Sequence, residues 1–156
     1  VRIDICYNES AMALPSRPKT FHFTELQSFP IGVLKLFPGF QFELFEGMIN
    51  SNLKAVVLEA FGSGNIPTNN RALVEGIRKS AENGTIITVT SQCHKGGTTL
   101  GTYATSNDLV ESGAISASDM TTEAAIAKLY YLFSCGYDAE RVKLLMETNL
   151  RGEMNE

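Results

Sequence analysis

The stretch 55–70, AVVLEAFGSGNIPTNN, constrains the fold more than any other. Its four consecutive apolar residues, 55–58, suit a strand buried on both faces, as in a parallel sheet with helices packed above and below. A loop with Gly62 and Gly64 follows, and then three adjacent polar candidates for a helix start, Thr68, Asn69 and Asn70. Strand, glycine loop and helix in that order put the loop at the carboxyl edge of the sheet, where open α/β sheets bind ligands. The glycines allow positive φ and close backbone approach, and Asn65 offers an amide with two donors and an acceptor. That amide suits a small polar ligand. It also suits a turn in which Asn65 bonds only its own backbone.

The neighbouring segments repeat the pattern. Residues 31–37, IGVLKLF, read as a strand stopped by Pro38-Gly39. Phe42, Phe45, Met48 and Ile49 recur at helical spacing and predict a helix over about 40–50 with one apolar face, a core stripe. Residues 55–60 form the second strand. Leu73, Val74, Ile77 and Ala81 mark a helix closed by Asn83-Gly84, and the β-branched run 85–90, TIITVT, is the third strand. The order β-α-β-α-β with short connections predicts a small parallel sheet with right-handed crossovers. The strand-to-helix loops 38–39, 61–69 and 91–105 then open on one edge.

Further on, residues 109–115, centred on Gly113, read as a helical turn or a small strand. Asp119 or Thr121 caps a helix with Ala125, Ile126, Leu129, Tyr130 and Phe133 on its apolar face, ended by Gly136. Asp138 caps a last helix with Val142, Leu145 and Met146 inward, and residues 150–153 close the ordered chain. Residues 1–29 differ, being interrupted by Pro15 and Pro18, and read as a linker or arm that packs on another part of a larger protein; 30–156 form the domain.

Several functions are excluded. A length of 156 residues is one domain's worth, short for a two-lobed α/β enzyme, and the start at Val1 reads as an excised piece. A net charge of −4 supplies no basic footprint for nucleic acid or anionic lipid. Cys6, Cys93 and Cys135 are odd in number and far apart, which fits a reducing compartment, and no apolar run is long enough to span a membrane. The loop 91–105, SQCHKGGTTLGTYAT, brings Cys93, His94 and Lys95 together without the further ligands a metal needs. Adjacent side chains on an extended segment point apart, which disfavours a Cys–His nucleophile, and neither this loop nor residues 62–67 has the glycine order of a phosphate or dinucleotide site. His22, between Phe21 and Phe23, reads as packing. Spacing alone yields a small α/β ligand-binding domain and no reaction.

The combination of motifs says more. EAFGSGN at 59–65, SQC at 91–93, YAT at 103–105, DMTTEA at 119–124 and LRGEM at 150–154, in that order, resemble the carboxyl-terminal domain of the bacterial-type L-asparaginases, particularly the cytoplasmic type I class. PIGV at 30–33 and Pro38-Gly39 are similar to that family's entry into the domain, so the resemblance covers about residues 28–154. It implies the carboxyl-terminal lobe of a two-domain enzyme, with a small flavodoxin-like parallel sheet flanked by helices. It implies hydrolysis of L-asparagine to L-aspartate and ammonia without metal or organic cofactor, in the cytoplasm, by a homodimer or homotetramer. The family's nucleophilic threonine and the Thr-Asp-Lys group that activates it belong to the amino-terminal domain. This chain has no segment of either type, so no catalytic residue is expected in it and the purified chain is expected to be inactive.

The resemblance also assigns roles. Asn65 would reach the substrate's α-amino end across a subunit interface, an amide oxygen accepting from the ammonium without adding a titrating group. Tyr103 stands where secreted relatives carry an interfacial carboxylate and is the second substrate-binding candidate. Glu59, Asn65, Ser91 and Cys93 occupy the positions of a regulatory asparagine site, where the regulated bacterial enzymes place an arginine at the Glu59 position. A glutamate repels the effector carboxylate that an arginine would clamp, so regulation by the same contacts is not expected. Two other readings share the fold: a component of a glutamine-hydrolysing tRNA-dependent amidotransferase, and a stand-alone amino-acid-binding module.

Overall fold

The computed structural model of the chain describes residues 22–49, 52–67, 71–101 and 104–155. Its strands are β1 (Ile31–Lys35), β2 (Ala55–Ala60), β3 (Ile86–Ser91) and β4 (Ile115–Ser116); its helices are α1 (Glu46–Ile49), α2 (Arg71–Glu82), α3 (Ala104–Glu111), α4 (Thr122–Ser134) and α5 (Ala139–Met146). The sheet is parallel throughout and its strands lie in chain order, β1-β2-β3-β4. In the central register Val57 pairs with Val33 on one side and Thr88 on the other.

Alternation along β2 and β3 divides the core in two. Val56, Leu58, Ile87 and Val89 face one way, onto Leu73 and Ile77 of α2 and Leu109 of α3. Ala55, Val57 and Ile86 face the other way, onto Ala125, Leu129 and Leu132 of α4 and Val142 and Met146 of α5. With both faces covered, β2 reads as a continuous apolar run that ends at Glu59. The helices after β4 therefore close the face that the β-α-β crossovers leave bare.

Several local expectations change. The helix over 40–50 divides into a 3-10 turn, Phe42–Leu44, and the single turn α1. The aromatic residues cause this: Phe42 is buried against Gly76 of α2, while Phe45 stacks on Phe40 with ring centroids 4.8 Å apart, and Gly47 weakens any longer helix. The loop after β3 is shorter than expected, because α3 begins at Ala104, and residues 109–115 are the end of that helix, a turn at 112–114 and the first residue of β4. Sequence ATSNDLVE hides the helix, since among its described side chains Leu109 is the one fully buried apolar group. Of the two cap candidates it is Thr121 that caps α4, accepting from the Ala124 amide at 3.2 Å, whereas Asp119 holds the backbone and side-chain amides of Asn155.

The buried face of α4 is Ala125, Lys128, Leu129 and Leu132. Phe133 and Tyr130 turn toward the segment that precedes β1: the Phe133 ring lies 5.4 Å from that of Phe29, and the Tyr130 hydroxyl donates to the Phe29 carbonyl at 3.2 Å. Residues 22–29 have no regular structure and run beside α4, where the Gln27 amide bonds the Ser134 hydroxyl at 3.0 Å. Cys6 lies outside the described residues; Cys93 and Cys135 are free thiols. No helix among the described residues is long and apolar enough to cross a membrane.

Candidate functional site

Parallel strands bring the ends of β1, β2 and β3 to one edge, and the loops that follow β2 and β3 are joined there. After β2 the chain turns back at once: the amides of Gly64 and Asn65 both bond the Phe61 carbonyl, at 3.0 and 2.8 Å, and the Phe61 amide bonds the Asn65 carbonyl at 2.9 Å. Gly62 and Gly64 hold φ of 49° and 108°, and a Cβ on Gly64 would lie 2.8 Å from Leu100. The glycines at these two positions are therefore required by the turn and by the loop packed over it. Asn65 is half-buried at the end of this turn.

Hydrogen bonds tie the turn to the end of β3 and to the chain after it. The Ser91 hydroxyl donates to the Gly62 carbonyl at 2.6 Å, and the Thr99 amide donates to the Ser63 carbonyl at 3.0 Å. Gln92 then staples the strand ends, its side-chain amide donating to the carbonyls of Leu36 and Glu59 at 2.7 and 2.8 Å. Farther along, Thr98 is buried and its hydroxyl lies 2.8 Å from that of Ser116, which docks the loop on β4.

On the α4 side of the same edge is a cleft of about 340 Å³ lined by Glu59 and Ser91 from the sheet, by Cys93 and His94 from the loop after β3 and by Thr122 and Glu123 from α4, together with Lys35. Glu59 is the fixed charge in it. One carboxylate oxygen is 3.0 Å from the Lys35 ammonium and the other accepts from the Thr122 hydroxyl at 2.8 Å. Having given its proton to Glu59, Thr122 accepts from Thr90, 3.2 Å away. The Glu123 carboxyl is held below the usual carboxylate range by its own backbone amide and by the Thr121 hydroxyl at the start of α4. Cys93 is exposed, with its amide bonded to the Ser91 hydroxyl at 3.0 Å. Among the described residues no three His, Cys, Asp or Glu side chains are grouped to hold a metal ion.

Of the residues singled out in the sequence, Glu59, Ser91 and Cys93 line this one cleft. Asn65 stands on the adjoining turn and does not line it, and Tyr103 lies outside the described residues. Lys35, Gln92 and Thr122 carry no local signal that would single them out. Gln92 and Thr122 sit inside the SQC and DMTTEA motifs, but the partner each finds is on another strand, Thr122 meeting Glu59 across 63 positions of sequence.

Parallel topology and loops gathered at the carboxyl edge define an α/β domain of the ligand-binding kind. A model of the glutaminase/asparaginase C-terminal domain matches residues 30–146, and the chain belongs to that family. It is 36% identical over 125 residues to L-asparaginase 1 of Escherichia coli (strain K12), covering 80% of this chain and 37% of that protein. It is 33% identical to a glutamyl-tRNA(Gln) amidotransferase component from Thermococcus kodakarensis, over 80% of this chain and 28% of that one. Among solved structures, L-asparaginase I from Vibrio cholerae superposes with a TM-score of 0.79 at 38% identity, over 85% of this chain and 40% of its own. The chain thus spans well under half the length of these relatives.

Proposed function

We propose that this chain works as the carboxyl-terminal lobe of an amidohydrolase that converts L-asparagine and water to L-aspartate and ammonia. In this reading the nucleophilic threonine belongs to an amino-terminal domain, residues 1–29 are the arm leading from it, and the assembly is a cytoplasmic homodimer or homotetramer that needs no cofactor. Asn65, with Tyr103, positions the substrate's α-amino end. The likeness to asparaginases across the whole sheet carries the reading, and the turn at 61–65 supports Asn65, because its backbone is hydrogen-bonded within itself and holds the residue at a fixed place on the rim. A neutral amide oxygen accepts from an ammonium at any pH at which the enzyme works.

The test is ammonia release by the full-length protein that contains this domain. Asparagine turnover is expected there, with none from residues 1–156 alone. Turnover by the short chain, or none by the long one, would refute the reading. The similarity to the amidotransferase component favours a second reading, in which the substrate is glutamine. It predicts glutamine to be used in preference to asparagine, which the same assay decides.

The cleft at Glu59, Ser91 and Cys93 is the candidate effector site. Its glutamate is already paired with Lys35 and Thr122 and would repel an effector's carboxylate. Calorimetry on the full-length protein is expected to show a single class of asparagine site; a second class abolished by Glu59→Ala would reverse this.

A further inference from the structure

We infer that Ser91 is a positioning residue for substrate binding, acting through the turn that carries Asn65; this rests on the role proposed for Asn65. A serine hydroxyl has one proton to give. Ser91 gives it to the Gly62 carbonyl in a 2.6 Å bond, and its oxygen accepts the Cys93 amide at 3.0 Å, so one side chain ties the turn after β2 to the first residues of the loop after β3. Gly62 has a φ of 49° and needs such a hold, because no side chain of its own anchors it. Another tie on the turn, Thr99 to Ser63, is backbone to backbone and falls on the next residue. With Ser91's donor spent, a cleft ligand that accepts from this hydroxyl must first release Gly62. Ser91 therefore serves the Asn65 turn and is a poor donor for an effector.

The first test needs no activity. In residues 1–156, Ser91→Ala should speed amide exchange at Gly64 and Asn65 about fivefold, the loss of one hydrogen bond, while Val57 and Val89 in the sheet stay as they were. Ser91→Thr, which keeps the hydroxyl, should restore slow exchange. Unchanged exchange at Gly64 and Asn65 overturns the inference, as does a rise spread equally over the sheet, which marks general destabilisation. In the full-length protein, Ser91→Ala should raise KM for asparagine about fivefold and leave kcat within about twofold. The same change made on Asn65→Ala should add nothing, because the two act through one contact. Multiplying effects overturn the inference. If Asn65→Ala itself leaves KM unchanged, the reading of Asn65 falls and Ser91 keeps only its hold on the turn.

Discussion

Lys128 occupies a place on α4 where helical spacing calls for an apolar side chain. Its aliphatic stem is buried in the core, and its ammonium donates to the carbonyls of Met146 and Thr148, 3.2 and 2.7 Å away, at the end of α5. It also pairs with Glu153 at 2.7 Å. Burial works against the Glu153 charge, but the bonds from Lys128 and from the Leu150 and Arg151 amides outweigh it and hold the carboxyl down at about 2. A carboxyl lowered by folding adds stability above its unfolded pKa and loses it as pH falls toward the folded value. Urea midpoints should therefore drop between about pH 4.5 and pH 2, and Glu153→Gln should flatten that part of the profile. Lys128→Met removes the cation from beside the Glu153 carboxylate and a donor from two carbonyls, and should cost about 3 kcal/mol by urea unfolding. Thr88, fully buried in β3, has the opposite sign. Its hydroxyl has no hydrogen-bond partner among the described residues, so Thr88→Val should raise stability by about 1 kcal/mol in the same assay.

At the scale of elements, what could be read and what could not separates by mechanism. A strand-like run stopped by Pro38-Gly39, a continuous apolar run and a β-branched run gave β1, β2 and β3 within a residue or two, and the stripe Leu73, Val74, Ile77 and Ala81 marked α2, because these segments meet the core through many side chains. α3 was hidden because, among its described side chains, only Leu109 and Ser106 are buried. The aromatic segment before β2 breaks into short turns for a reason set by another element: a Cβ on Gly76 would overlap the Phe42 ring, so α2 has to offer a gap there. Gly76→Ala should cost about 1–3 kcal/mol despite alanine's better helix propensity, and a stable variant in urea unfolding would contradict this packing. Gln92 is the element-level device at the rim. Gln92→Leu should destabilise the chain by about 1–2 kcal/mol and speed exchange of the Leu36 amide, which bonds Glu59 at 3.1 Å beside the staple.

For the whole molecule, one parallel layer brings separate motifs to a common edge, and that edge is where sequence and structure speak most clearly together. Glu59, Ser91 and Cys93 were singled out by motif position in the family resemblance, and strand direction accounts for their meeting, since each ends or follows a strand of one parallel layer. Their hydrogen bonds were not, because Lys35, Thr122 and Gly62 come from segments that no local pattern relates to them. Asn65 stands beside the cleft and does not line it, so the residue proposed for substrate and the cleft proposed for an effector are separate places, joined by the bond from Ser91 to Gly62. The most direct measurement of the proposed role is steady-state ammonia release from asparagine by the full-length protein and its Asn65→Ala variant. We predict turnover in the first and a KM raised by about tenfold or more in the second, as the loss of a charge-assisted hydrogen bond to the ammonium requires. No ammonia from asparagine, or an unchanged KM in the variant, would contradict it.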